Sequence, residues 1–254
     1  MDTLHRLDDR LLIDVNDLAR HTGWLHGAVL GYATYGVVLF AALLLTGVWS
    51  RRAGTDRALA AACWAPVATL LAVGLNQPLV SAFAEARPYT THPGLLVLAT
   101  RSSDFSFPSD HAVMAGATAA GLWLVSRALG ALATVAALVM AFSRVYIAAH
   151  YPWDVAAGLA FGALVTLLGW ALLGSLLTVL TGWLRSRPGL RQVFPAPVTS
   201  PAAREPSTPG AAAAGAVSST ASSSCPAGWS WSSPAWWSSP RTRCSSGSSS
   251  PARP

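Results

Sequence analysis

Charge is what this sequence has least of. Charged residues make up 11% of its 254 positions, where a soluble domain carries about a quarter. With 52% hydrophobic residues and a positive mean hydropathy, the chain reads as a membrane protein before any motif is considered. Lysine is absent altogether, so all 17 basic residues are arginines. That absence, with heavy alanine, glycine and proline usage, matches the coding bias of a GC-rich genome. The net charge is +6, but the arginines are scattered and form no basic stripe, so nucleic-acid binding is not indicated. Cysteine is scarce too. Cys63 lies in an apolar run, Cys225 and Cys244 lie in a biased tail, and no CxxC pair exists. Neither a zinc site nor a disulfide framework follows. The N-terminus mixes Asp2, His5, Arg6, Asp8, Asp9 and Arg10 and has no short apolar core before a small-residue cleavage site, so no cleavable signal peptide is expected.

What is abundant is long apolar sequence. From Leu4 to Leu18 the residues Leu4, Leu7, Leu11, Leu12, Val15 and Leu18 fall at helical spacing, with Ile13 the exception. That predicts an amphipathic helix, either on the membrane surface or packed on the protein itself. Five longer apolar runs follow: Leu25 to Trp49, Ala58 to Phe83, Ala112 to Val125, Ala131 to Ala149 and Val155 to Trp183. A membrane crossing needs about 20 residues, so about five spans are expected. Pro66 and Pro78 in the second run are tolerable where neighbours satisfy the freed carbonyls. Gly116, Gly121, Gly158 and Gly162 suit closely packed spanning helices. Gly94 to Ala99 is apolar but too short to span. The fold class is therefore all-α, a polytopic transmembrane bundle of about five to six helices. It divides into an amphipathic segment at 1–24, a transmembrane domain at 25–191, and a Ser/Pro/Ala/Arg-rich tail at 192–254 that is expected to be disordered.

Arginine placement orients the bundle. In a five-span arrangement Arg51, Arg52 and Arg57, then Arg127, then Arg185, Arg187 and Arg191 share one side, which should be cytoplasmic. The Glu85–Asp110 and His150–Asp154 connections then share the outer side. All three polar clusters sit there: Arg87-Pro88-Tyr89, Phe107-Pro108-Ser109-Asp110-His111, and Ser143-Arg144 with His150 and Asp154.

Each cluster has a chemical and a plain structural reading. His150 and Asp154 are four apart and share a helical face; a carboxylate on one imidazole nitrogen makes the other a better nucleophile or base. A helix-start aspartate beside an interfacial histidine explains the pair equally well. Zinc would need a third ligand; His111 could serve, but the neighbouring arginines argue against a cation. Ser109 precedes an apolar run, where serine caps helices and where free N–H groups suit an anion. His111 at a membrane helix end is costly without a purpose. Arg87 offers a planar fork for phosphate oxygens or anchors the chain at the interface. Together, two histidines, two arginines, a serine and a carboxylate map to one side of a membrane bundle.

These residues resemble the type 2 phosphatidic acid phosphatase family, related to vanadium haloperoxidases. Its motifs are Lys-x6-Arg-Pro, Pro-Ser-Gly-His and Ser-Arg-x5-His-x3-Asp. The third is complete here from Ser143-Arg144 through His150 to Asp154. The second reads Pro108-Ser109-Asp110-His111, and the first keeps Arg87-Pro88 with Val80 at the lysine position. The Pro-Ser-Asp-His variant looks like the bacterial undecaprenyl-diphosphatase branch, which recycles the lipid carrier of cell-wall synthesis. The resemblance implies His150 as a nucleophile forming a phosphohistidine, Asp154 as its support, and His111 as the acid for the leaving oxygen. It implies Arg87, Ser109 and Arg144 as phosphate-binding groups. It also implies no cofactor or metal, and a lipid phosphate or diphosphate substrate met at a plasma-membrane surface. A phosphatidate or phosphatidylglycerophosphate phosphatase is the alternative of the same class, and a catalytically inactive membrane transport or interaction protein is the alternative of another class.

Overall fold

The computed structural model describes residues 2–187, Gly189 and Pro195. The expected tail, apart from Pro195, and Arg191 of the orienting set lie outside the described residues. Among the described residues there are seven α-helices and no strand: α1 (Asp2–His21), α2 (His26–Arg51), α3 (Asp56–Phe83), α4 (Pro88–Thr91), α5 (Asp110–Val125), α6 (Arg127–Tyr146) and α7 (Pro152–Ser186). A 3-10 turn at Gly23–Leu25 joins α1 to α2.

Five of these helices are the five apolar runs, but only α2, α3, α6 and α7 have the length and apolar composition of a membrane crossing. With 16 residues, α5 extends roughly 24 Å at about 1.5 Å per residue, short of a hydrocarbon core of about 30 Å. It faces protein instead. Most of its residues are buried, packed against α3, α6 and α7. Alanine and glycine make that central position possible. A methyl group on Gly162 would stand 2.0 Å from the Val113 carbonyl oxygen, and one on Gly158 would stand 2.8 Å from that of Ser109. The α5 and α7 backbones therefore touch, as small residues permit in membrane bundles. This contact sets the start of α5 against the start of α7, where the Ser109 N–H donates to the Asp154 carbonyl at 3.2 Å.

The connections sort to two ends as the arginine grouping requires. Arg51 Nη2 donates to the Val125 carbonyl at 2.6 Å. Arg185 donates to the carbonyls of Gly54 and Arg52 at 2.7 Å each and to Asp56 Oδ1 at 2.8 Å. The first connection, the third connection and the exit of α7 are thus tied together at one end. The Glu85–Asp110 segment and the His150 turn occupy the other, joined where the Ser106 N–H donates to the Glu85 carbonyl and the Leu98 and Ala99 N–H groups meet the Ile147 carbonyl.

Helix α1 packs on the protein. Leu12, Asn16 and Ala19 are buried. The Asn16 amide both donates to the Leu96 carbonyl and accepts from the Leu96 N–H, at 2.8 and 3.0 Å. Asp8 Oδ1 accepts the Trp153 N–H at 2.9 Å, satisfying a free donor in the first turn of α7. Leu7, Leu11, Ile13 and Leu18 remain exposed, so the helix keeps a second apolar face outward.

Candidate active site

The fourth apolar run extends to Ala149. Helix α6 ends at Tyr146 instead. Ala148 takes φ 60°, and the N–H groups of Ala148 and Ala149 return to the carbonyls of Val145 and Arg144 at 2.9 and 3.1 Å. This is a Schellman closure with alanine where glycine is usual. The turn folds His150 back beneath the helix end that carries Arg144, which explains why five residues separate them.

His150 is 4% exposed. Its Nδ1 lies 2.9 Å from the Ser106 carbonyl oxygen. A carbonyl only accepts, so Nδ1 carries the proton and Nε2 keeps its lone pair. Nε2 points to Arg87 Nη1 at 3.3 Å. Asp154 Oδ2 stands 3.5 Å from Nδ1, beyond a direct hydrogen bond. It is joined to the histidine through Ser106, whose hydroxyl donates to Asp154 Oδ2. The same oxygen accepts the Tyr151 N–H at 2.9 Å. Asp154 therefore serves the helix start and the histidine together; the two readings of its position are not exclusive. Burial, then the charges of Arg144 and Arg87, pushes His150 well below the usual histidine range, so the ring is neutral at physiological pH.

Two guanidinium groups surround this imidazole without a counterion. Arg87 donates from Nε to the Asp104 carbonyl at 2.9 Å and from Nη1 to the Ala149 carbonyl at 3.0 Å. Arg144 makes one long bond, 3.4 Å to the Ala33 carbonyl, and its buried Nε has no partner. Among the described residues neither has a carboxylate within ion-pair distance, whereas Arg185 does. Ser109 sits at the cap position of α5, but its side chain makes no capping bond. Its hydroxyl is buried and unpartnered, so the helix-cap role expected of this side chain is not the one it plays. His111 lies in the first turn of α5, within electrostatic reach of Arg144, His150 and Arg87. All six residues singled out in the sequence thus gather at one end of the bundle.

Asp110 in the motif's glycine position would repel an anion if it faced one. It faces α3: its Oδ1 accepts from Asn76 Nδ2 at 2.8 Å and Gln77 Nε2 at 3.0 Å. Asn76, wholly buried, also donates to the Pro108 carbonyl at 3.0 Å. Sequence reasoning missed Ser106 and Asn76. Ser106 carried no signal beyond standing just ahead of the second cluster. Asn76 was readable as a lone amide in an apolar run, one residue before Gln77.

A family model of the PAP2 superfamily matches residues 61–178. The bacitracin transport permease protein BcrC of Bacillus licheniformis is 31% identical over 153 residues, covering 60% of this chain and 74% of that protein. The chain belongs to the PAP2 superfamily. Undecaprenyl-diphosphatase BcrC of Bacillus subtilis is 25% identical over 154 residues, with 61% and 78% covered. Decaprenylphosphoryl-5-phosphoribose phosphatase of Mycobacterium tuberculosis is 44% identical over 75 residues, 29% of this chain and 41% of that one. Among solved structures, LpxE of Aquifex aeolicus superposes with a TM-score of 0.54 at 23% identity, covering 65% of this chain and 95% of that one, which agrees with the superfamily's fold. The superfamily match takes in all six site residues and leaves α1 and α2 outside it.

Proposed function

We propose that this protein is a membrane hydrolase of lipid-linked diphosphates. Its reaction releases inorganic phosphate from undecaprenyl or decaprenyl diphosphate and leaves the monophosphate. One observation carries the reading: a neutral, buried imidazole with its proton locked on a carbonyl at Nδ1 and an unprotonated Nε2 turned to Arg87, beside two guanidinium groups that lack an anion. Such a cradle fits a phosphoryl group, whose transfer depends on positioning and charge stabilisation. The names of the Bacillus subtilis and Mycobacterium tuberculosis relatives support a polyprenyl-linked substrate.

In this reading the His150 Nε2 lone pair forms a bond to the terminal phosphorus as the bridging P–O bond breaks. His111, whose pKa is held down to about 4 by burial and then by Arg144, gains a proton when the anion binds and gives it to the departing lipid monophosphate. Water then attacks the phosphohistidine, His111 takes its proton, the P–N bond breaks, and phosphate leaves with Nε2 regenerated. Arg87, Arg144 and the Ser109 hydroxyl hold the three peripheral oxygens. Ser106 and Asp154 keep the Nδ1 proton in place while the ring carries positive charge. The donor set is cationic and repels a metal ion, so the reaction is metal-independent in this reading. The arginine grouping supports a site on the outer face of the plasma membrane. A transport pathway would distribute ionisable groups along the helix interiors; here they collect at one rim.

The test is phosphate release by purified protein from polyprenyl diphosphate and phosphatidate in parallel, with and without chelator. Polyprenyl diphosphate is expected to be the better substrate and chelator to have no effect. With substrate labelled in the terminal phosphate, wild type should trap an acid-labile phosphoprotein that His150→Ala does not. Hydrolysis that survives His150→Ala would remove the nucleophile assignment.

A further inference from the structure

Beside the phosphate site lies a groove of about 580 Å³, within the usual range for a small-molecule pocket. Its walls are Leu7 and Leu11 of α1, Phe83 at the end of α3, Phe107, and Trp153 and Ala156 of α7. The geometry points to this groove as the binding site for the hydrocarbon chain of the substrate, in the part nearest the phosphate. The inference rests on the lipid-phosphate reading and adds where the chain lies and which helix selects it.

Three observations commit the groove to that occupant. First, its lining residues adjoin those of the phosphate site. Phe107 is two residues from Ser109, and Trp153 adjoins Asp154. The Glu85 carbonyl, at the groove, accepts the N–H of Ser106, the residue that holds His150. Second, charge sorts the two halves of the ligand. Asp8 and Glu85 stand in the groove wall with His5 beside them; the two carboxylates repel a phosphate, which is drawn to Arg87 and Arg144, and the apolar walls are left to the chain. Third, the exposed leucines of α1 have no partner among the described residues to explain them. Leu7 is 52% and Leu11 44% exposed, while the same helix is fixed to the α7 start by Asp8. The helix is held in place and its apolar side is left uncovered at the groove. Helix α1 lies outside the residues that match the superfamily model.

The experiment pairs location with length discrimination. A prenyl diphosphate analogue carrying a benzophenone in its first isoprene units is photolysed with wild-type protein in detergent, and the labelled peptides are sequenced. Labelling of the peptide holding Leu7 and Leu11, or of that holding Trp153 and Ala156, is expected. In parallel, kcat/KM is measured for a long polyprenyl diphosphate and for isopentenyl diphosphate. Leu11→Gln and Ala156→Trp change exposed positions, one making the wall polar and the other filling the groove. Each should lower the long-to-short ratio of kcat/KM by about tenfold, the effect of losing one good apolar contact. Labelling confined to other helices, or a ratio that stays put in both variants, overturns the groove assignment while hydrolysis by wild type leaves the phosphatase reading standing. Wild type that labels in the groove but releases no phosphate from any prenyl diphosphate overturns the phosphatase reading instead, and the groove remains as a prenyl-chain site.

Discussion

The two ends of the bundle use the same residue in opposite ways. At one end Arg185 is nearly buried and its two terminal nitrogens reach two carbonyls and the Asp56 carboxylate within 2.8 Å, with only Nε left unpartnered. At the other, Arg144 is half-buried with one bond of 3.4 Å and no carboxylate, and Arg87 bonds only to carbonyls and to His150. A charge held away from water without a partner costs several kcal/mol. The first end offsets that cost within the fold. The second leaves it open, and the binding of a phosphate closes it. The difference separates an arginine that staples helices from one that awaits a ligand, which composition and topology rules treat alike.

The largest effects should come from exchanging these roles. Arg144→Lys keeps a charge but loses the planar fork; kcat should fall by about 10²–10³-fold, while thermal unfolding in detergent hardly moves. Arg185→Ala should do the reverse. It should leave kcat of the folded fraction in place and lower stability by about 2 kcal/mol, because two carbonyls and Asp56 lose their donor. If Arg185→Ala instead lowered kcat and left unfolding unchanged, the contrast between the ends would be wrong.

Next in size is Ser106→Ala. Asp154 is 3.5 Å from the imidazole, and Ser106 links them, its hydroxyl donating to Asp154 and its carbonyl accepting from His150 Nδ1. Removal of the hydroxyl should lower kcat by about 10–100-fold, as loss of an orienting group commonly does. The phosphohistidine should still form, more slowly. Rapid-quench trapping of the labelled intermediate reads this directly. A Ser106→Ala enzyme with unchanged kcat would mean that the carbonyl alone fixes the ring.

Much of this was legible in the sequence. The apolar runs gave the helices, and the spacing of Ser143-Arg144, His150 and Asp154 gave half the site, because each side chain is tied to a regular period or a recognised motif. The arginine grouping identified which connections meet, and Arg51 and Arg185 bear that out by reaching across them. What the sequence hid depends on tertiary contact. Ser106 is joined to Asp154 across 48 residues, and Asn76 to Asp110 across 34; no local pattern announces either. Helix α6 stops three residues short of the end of its apolar run because Ala148, though alanine is a strong helix former, here adopts a left-handed turn. The fate of α1 was left open between membrane and protein, and its two apolar faces show why both readings had support.

The ends should also differ in their response to acid. His150 is held well below its ordinary 6.5 by burial and then by Arg144 and Arg87. The active form is the neutral ring, so the acidic limb of kcat/KM that belongs to His150 should lie well below pH 6.5. Arg87→Gln removes one repelling charge and should move that limb to higher pH, however low the overall rate. Arg185→Ala should leave it where it is. The unfolded chain takes up a proton near pH 6.5 and the folded site does not. Folding stability therefore falls as pH drops below that value, by at most about 1.4 kcal/mol per pH unit for this group. A wild-type acidic limb at or above pH 6.5 would contradict the buried, arginine-flanked placement.

The smallest expected effect concerns the backbone. Among the described residues, Ala84 with φ 47° and Ala148 with φ 60° are the non-glycine residues in the left-handed region, and both lie at the site end. They turn the chain out of α3 toward Arg87 and out of α6 toward His150. Left-handed alanine costs about 1–2 kcal/mol, and strain of this kind gathers where a site dictates the backbone. Ala84 is exposed, so Ala84→Gly relieves the cost and loses little packing. Glycine's extra freedom in the unfolded chain takes back about 0.5–1 kcal/mol, leaving a net gain below about 1 kcal/mol. Ala148 is wholly buried, so the lost methyl group, worth up to about 0.8 kcal/mol, brings Ala148→Gly close to zero. Thermal unfolding of the two variants side by side should rank Ala84→Gly above Ala148→Gly. The reverse order would mean that the His150 turn is the more strained of the two, and that the site draws more on backbone strain than on its uncompensated arginines.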